Sequence, residues 1–266
     1  VQQCRQYLIP VLASVPDKGV IVTLGATALN AILGLTGQPG ITVKDFHGTV
    51  HEIQRPDGTM YWVVPSFHPS HLQRGAMNLL EVVTQDLKRA WKIAHQGFIR
   101  SSSQLVVDPP VEWFDRWVVD HLAKVQAAPD SVHLSLDSEF PEKGAGDDEG
   151  ELLDWNAQTP ITRVNGGNDK LTGWSVPYVG DYIRVFEKLM AGMATLRGWC
   201  WLWNKYADWD HFQAAGHTLS GIEAIDGMWL WHHIQSDVPR GLGFVAPMAS
   251  DFGAWKHWGK VESRFG

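Results

Sequence analysis

The chain has 266 residues, of which 44% are hydrophobic and 19% charged, and its formal net charge is −7. This composition excludes wholesale disorder, and no run of about 18 apolar residues is present to span a membrane. With two cysteines, Cys4 and Cys200, a disulfide framework is excluded too, so we expect a soluble, cytoplasmic protein of a bacterium or a phage-infected host, without a membrane partner.

The first hundred residues alternate between helical and strand-like patterns. In chain order they predict a helix at 1–14, a strand at 20–24, a helix at 25–34, strands at 48–54 and 60–66, and a long amphipathic helix at 79–94. Basic residues outnumber acidic ones here, whereas the reverse holds afterwards. This half is therefore predicted to be an α/β domain over residues 1–96 that can face phosphate groups.

Residues 97–130 lack sustained periodicity, apart from a helix at 110–127, and are predicted to be a linker and helix. A second α/β domain is predicted over residues 131–266. Its elements are strands near 132–136, 160–165 and 172–178, a helix at 180–192, a strand at 198–203, a strand-helix unit over 219–236, and a short helix at 241–249.

His68-Pro69-Ser70 follows the strand at 60–66, at the end where α/β folds present reactive groups. The alternative is structural: a loop histidine, with Ser70 as a helix cap. Both interpretations stay open on the tripeptide alone.

The motifs around this tripeptide resemble the C-terminal half of the family 4 uracil-DNA glycosylases, over about residues 1–95. The segments that carry the resemblance are Cys4-Arg5-Gln6-Tyr7-Leu8, Leu24-Gly25-Ala26-Thr27-Ala28, His47-Gly48, Pro65-Ser66-Phe67-His68-Pro69-Ser70-His71-Leu72-Gln73-Arg74 and Asp86-Leu87-Lys88-Arg89-Ala90. The resemblance implies a partial α/β/α glycosylase domain and DNA as the partner.

The same resemblance implies roles for individual residues. His68 would stabilise the negative charge on the departing base, and the DNA contacts would come from Ser70, Leu72, Gln73 and Arg74. Cys4 would be the last ligand of a 4Fe-4S cluster whose other ligands precede Val1. Because the glycosylase motif that activates water would also lie upstream, we expect no uracil excision by these 266 residues.

Asp137 and Glu139 occupy alternate positions at a strand end, so both side chains project from one face and can share a divalent metal ion. Such pairs are also common as solvated surface acids. Asp208, four residues after Asn204, follows another apolar strand and offers a third carboxylate to the same crevice. Metal ions held by these acids would suit hydrolysis of a phosphodiester.

This half resembles the 3'-5' exonuclease domain of phage-type family A DNA polymerases, over about residues 130–266. The segments that match are Leu134-Ser135-Leu136-Asp137-Ser138-Glu139, Trp203-Asn204-Lys205-Tyr206-Ala207-Asp208, the stretch from Asp226 to His233, and the stretch from Pro239 to Ala246. The resemblance implies a ribonuclease-H-like α/β fold that is truncated before its third motif.

For individual residues, the exonuclease resemblance implies Mg²⁺ or Mn²⁺ on Asp137, Glu139 and Asp208, and a DNA contact at Asn204. A polymerase domain is expected beyond Gly266 in the same parent chain. We therefore predict a fragment of a DNA replication and repair protein, with little or no activity as it stands. The alternative is a non-catalytic DNA-binding or clamp module attached to a polymerase.

Overall fold

Two separate β-sheets organise the part of the chain that the computed structural model describes, which comprises residues 5–35, 42–55, 57–99, 103–140 and 160–250. The chain divides into two compact units accordingly. The first unit combines Val1–Ser101 with Gln235–Gly266, and the second is Ser102–Ile234.

The elements before residue 100 follow the predicted order closely. They are α1 (Arg5–Ala13), β1 (Gly19–Leu24), α2 (Ala26–Leu35), α3 (Val43–Phe46), β2 (His51–Gln54), β3 (Met60–Ser66), α4 (Pro69–Gln73) and α5 (Leu80–Gln96). The two short helices α3 and α4 were not predicted, because four or five residues are too few to show a helical period.

The later elements also keep the predicted order, with one additional strand. They are β4 (Gln104–Val107), α6 (Val111–Ala127), β5 (His133–Glu139), β6 (Arg163–Gly167), β7 (Thr172–Pro177), α7 (Asp181–Leu196), β8 (Trp199–Leu202), α8 (Lys205–Ala214), β9 (Glu223–Asp226), α9 (Gly227–Ile234) and α10 (Leu242–Ala249).

The sheet of the first unit has the order β1-β3-β2 among the described residues, with β1 parallel and β2 antiparallel to β3. Its middle strand is buried from Tyr61 to Ser66, as expected for a strand covered on both faces. The parallel pairing places Leu24 beside Ser66, so the carboxyl ends of β1 and β3 lie at the same edge.

The sheet of the second unit has the order β4-β7-β6-β5-β8-β9. It is mixed: β6 is antiparallel to both β5 and β7, whereas β4 is parallel to β7 and β8 is parallel to both β5 and β9. Helices α6 and α7 pack on the core through Phe114, Val118, Phe186 and Leu189, all nearly inaccessible to solvent. The predicted α/β fold class is confirmed.

The unit boundaries differ from the predicted boundaries at 97–130. From Ser102 onward this segment belongs to the second unit, because Gln104 to Val107 pair with Thr172 to Ser175 and α6 packs against α7. A short edge strand with exposed Leu105 and Val107 shows none of the alternation on which a strand prediction relies.

Residues 235–250 were expected to continue the second domain, but they belong to the first unit. Three side chains of the first unit form hydrogen bonds with the backbone of residues 235–250. The His47 ring nitrogen Nε2 lies 3.0 Å from the carbonyl oxygen of Phe244, Asn78 donates to the carbonyl of Asp237, and Arg89 donates to the carbonyls of Pro247 and Ser250. Such long-range contacts leave no periodic trace in the sequence.

None of the helices in the described ranges combines the length and the apolar character that crossing a membrane requires.

Candidate functional site

The carboxyl end of β5 presents two acids on one face. Asp137 and Glu139 are exposed, whereas Ser138 between them is buried. The side-chain nitrogen of Asn165, on the neighbouring strand β6, lies 3.3 Å from Asp137 Oδ2 and 3.3 Å from Glu139 Oε1. The two carboxylates therefore share one amide donor, which keeps them on the same side of the sheet.

The third predicted acid, Asp208, lies in the first turn of α8 and is 3% exposed. Its Oδ1 accepts a hydrogen bond of 2.8 Å from the backbone N–H of Ser138 and a second one from the Ser138 hydroxyl. The structure thus brings Asp208 to the strand end that carries Asp137 and Glu139.

Burial above all, and to a smaller extent the negative charge of Asp137, raise the pKa of Asp208 to about 6 against the lowering effect of the Ser138 hydrogen bonds. A buried carboxyl beside a like charge resists ionisation. Asp208 is therefore a group that changes its protonation state near neutral pH.

A fourth acid, Asp226 at the end of β9, organises the backbone around this site. Its carboxylate accepts hydrogen bonds from the backbone N–H groups of Asn204, Lys205, Met228 and Trp229. These groups begin α8 and α9, where helices leave N–H donors without partners. Asp226 has no role in the predicted site, although an acid directly before an apolar helix is a signal for a cap.

Asn204, the predicted DNA contact, has the left-handed backbone conformation with φ of 66°. Asparagine tolerates this conformation better than most residues other than glycine. The turn at Asn204, held by Asp226, starts α8 one turn before Asp208. The backbone of Asn204 thus helps to position the helix that carries the third acid, and the DNA contact of its side chain stays a prediction.

The three acids do not form a ready metal site. Across the described ranges, no group of three or more His, Cys, Asp and Glu side chains is arranged to hold a metal ion. The expected convergence on a common ion is therefore not observed. One oxygen of Asp208, Oδ1, is bound to Ser138 instead. The oxygen donors of Asp137 and Glu139 suit Mg²⁺ or Mn²⁺ in kind, but two carboxylates fall short of the predicted set.

In the first unit, His68 caps helix α4. Its Nδ1 accepts hydrogen bonds from the backbone N–H of Ser70 at 3.0 Å and from the Ser70 hydroxyl at 2.7 Å. A ring whose Nδ1 accepts from an amide carries its proton on Nε2 when neutral. His68 is exposed, so this proton can be donated to a ligand while the cap is kept.

The remaining residues of the first predicted site differ in accessibility. Arg74 is exposed and donates from Nε to the carbonyl of Ser70 at 3.1 Å, and Gln73 is exposed as well. Leu72 is only 5% exposed, because its side chain packs inside the unit, and its contact with DNA stays a prediction. Cys4, the predicted cluster ligand, lies outside the described residues.

Comparison with known proteins shows little similarity. No family model and no curated protein matches the chain. One solved structure, the EXO domain of Aedes aegypti Nibbler, is 10% identical in sequence and superposes with a TM-score of 0.33. The match covers 52% of this chain and 60% of that one, so the chain spans well under two thirds of the length of the structure it matches.

Proposed function

We propose that the second unit is a hydrolase of nucleic acid, a 3'-5' exonuclease whose reaction is carried by Asp137, Glu139 and Asp208. The observation that supports the proposal is the hydrogen bonding of Asp208 to Ser138, the residue between the other two acids. It gathers three carboxyl groups, one of them buried, at the end of a central strand. Three acids at one strand end, one of them buried, are more typical of a catalytic site than of a pair of solvated surface acids.

The environments of the three acids suggest a division of roles. Asp137 and Glu139 are exposed and can meet a substrate, whereas the raised pKa of Asp208 suits a group that takes up or releases a proton close to pH 6. Hydrolysis adds a water oxygen to phosphorus and releases the 3' oxygen, which must gain a proton. Two exposed carboxylates repel a phosphodiester, so substrate binding requires a positive counter-charge. A divalent metal ion can supply this charge, and the ion is therefore varied in the experiment below.

The test uses the whole chain and a 5'-labelled single-stranded oligonucleotide, with Mg²⁺, with Mn²⁺ and with EDTA. We expect slow, progressive shortening from the 3' end, abolished when Asp137→Asn and Glu139→Gln are combined. Asp120→Asn is the matched control, since it removes an exposed acid from helix α6 of the same unit. Degradation that survives the double replacement contradicts the proposal.

The rival function, a non-catalytic clamp, predicts a different outcome of the same assay. It would bind the oligonucleotide without shortening it, and the double replacement would leave its binding unchanged or improve it. A gel-shift measurement on the same samples separates the two functions.

A role for the first unit on uracil-containing DNA stays a prediction. The observation that favours it is the exposed His68, whose cap geometry directs the ring proton to Nε2. The 4Fe-4S cluster at Cys4 and the polymerase domain in the parent chain also stay predictions. A parent chain extended at both ends would test them by uracil release, iron content and nucleotide incorporation, and His68→Gln should lower uracil release without changing the iron content.

A further inference from the structure

The second unit contains a groove of about 680 Å³ beside helix α8, apart from the acids on β5. One wall is a single face of α8, where Lys205, Trp209 and Gln213 follow at intervals of four residues. The other wall is the connection from α8 to β9, including His217 and Leu219. Its size falls within the range of small-molecule sites.

The residues that line the groove carry a positive charge. The chain after residue 100 is acidic, yet the lining residues include Lys205 and neither Asp nor Glu. The Lys205 ammonium group lies 5.6 Å from the centre of the Tyr206 ring. Because no carboxylate shares the lining, this cation favours an anionic ligand.

The groove also offers an aromatic surface at a suitable distance from the cation. Trp209 packs one part of its ring on the hydrophobic core and is only partly buried. It lies one turn beyond Lys205, about 6 Å along the helix axis. A ligand with a negative group at one end and a flat ring at the other can contact both residues.

An unsatisfied polar atom marks the wall of the groove. His217 is 7% exposed, and its Nε2 lies 2.6 Å from the Tyr178 hydroxyl, but its buried Nδ1 has no hydrogen-bond partner among the described residues. Buried polar atoms without partners are rare and costly. Burial lowers the pKa of His217, which disfavours a positive charge on the ring.

We propose that this groove binds a mononucleotide, with the base stacked on Trp209, the phosphate at Lys205 and the edge of the base near His217. The choice of a nucleotide among anionic aromatic ligands rests on the proposed nuclease function. The site itself rests on the groove, the Lys205 cation in its lining and the unpartnered nitrogen of His217.

Calorimetric titration of the whole chain in EDTA tests the site, with deoxyadenosine monophosphate, deoxyadenosine and inorganic phosphate as separate probes. We expect saturable binding of the monophosphate in the millimolar range or tighter and weaker binding of the other two. Lys205→Met should weaken monophosphate binding about tenfold, the effect of losing a charged hydrogen bond, and leave deoxyadenosine binding unchanged. Trp209→Leu should weaken both by about tenfold.

Two controls keep the result interpretable. Lys170→Met removes an exposed lysine of the same unit outside the groove and should leave all three titrations unchanged. Because Trp209 contacts the core, His217→Phe is added as a second groove variant that preserves an aromatic ring. It should weaken monophosphate binding, and circular dichroism of each variant verifies folding.

The outcomes separate this inference from the proposed function. Nuclease activity without saturable monophosphate binding overturns the groove and leaves the nuclease proposal in place. Saturable monophosphate binding by a protein without nuclease activity supports the groove and overturns the nuclease proposal. Equal weakening by Lys205→Met and Lys170→Met overturns the groove as well, because it indicates attraction by overall charge only.

Discussion

Asp208 accepts a 2.8 Å hydrogen bond from the backbone N–H of Ser138, a residue 70 positions earlier in the chain. This contact fixes a buried carboxyl group next to the exposed Asp137 and Glu139. It also commits one oxygen of Asp208 to the protein. Burying an ionised carboxyl group in this way carries an energetic penalty.

Asp208→Asn should stabilise the protein at neutral pH and abolish nuclease activity. The folded-state pKa of Asp208, about 6, exceeds the ordinary value of 3.8, so its contribution to stability is complete below pH 3.8 and lost as the pH rises through 6. The amide keeps the Oδ1 acceptor without the charge. We expect a gain of about 2 kcal/mol in the free energy of unfolding at pH 7.5, measured by urea denaturation, and none at pH 3.5.

Asp210→Asn is the control for this effect, since Asp210 is an exposed acid on the same helix. It should change the unfolding free energy little at either pH. A gain from Asp208→Asn that is equal at both pH values would refute the charge explanation.

Asp226→Ala should destabilise the second unit and impair the site without touching a substrate. The replacement leaves four backbone N–H groups at the starts of α8 and α9 without their acceptor. Loss of a helix cap costs about 1 kcal/mol, and two helices are affected here, so we expect about 2 kcal/mol by urea denaturation. Asp226→Asn retains the oxygen Oδ1 and should lose about half as much. Equal losses in the two variants would contradict the capping role.

The contribution of His121 to the stability of the second unit should be lost as the pH falls from 6.5 toward 4, whereas that of Asp208 is regained over part of this range. This ring is inaccessible to solvent, stacks on Trp117 and contacts the Asn168 side chain at 2.9 Å. Burial, with a smaller effect of Lys124, lowers its pKa from 6.5 to about 4. A histidine with a lowered pKa contributes stability above pH 6.5 that is lost on acidification.

His121→Phe should remove this dependence. We expect the wild-type protein to lose on the order of 2 kcal/mol more than the variant between pH 7 and pH 4, measured by urea denaturation at several pH values. Parallel stability profiles for the two proteins would show that His121 is not responsible.

Gly25→Ala should destabilise the first unit and displace His68. Gly25 has φ of 87°, and a Cβ atom there would lie 3.0 Å from the Cβ of His68. The strained backbone and the close contact together should cost about 1 to 2 kcal/mol in thermal or urea unfolding. Gly34→Ala in α2 is the matched control, because a Cβ there has no atom within 4 Å and alanine favours a helix. A neutral effect at Gly25 would contradict the strain argument.

Local pattern in the sequence was sufficient for most of the secondary structure. Helix α5 and strands β3 and β5 were predicted within a few residues, because apolar periodicity is a property of neighbouring positions. The same period-two rule correctly placed Asp137 and Glu139 on one exposed face. These predictions required no knowledge of distant residues.

The tertiary structure alone decided how distant segments combine. Strand β4 depends on pairing with β7, and α10 depends on His47 and Arg89 of the first unit. The cap provided by Asp226 depends on the folded turn at Asn204. In each case the stabilising partner is a backbone group or side chain far away in the sequence, and folding brings it close only after the local elements have packed. The sequence indicated three acids at one strand end. That Ser138 holds one of them, Asp208, was decided only in the folded chain, because the two residues are distant in the sequence.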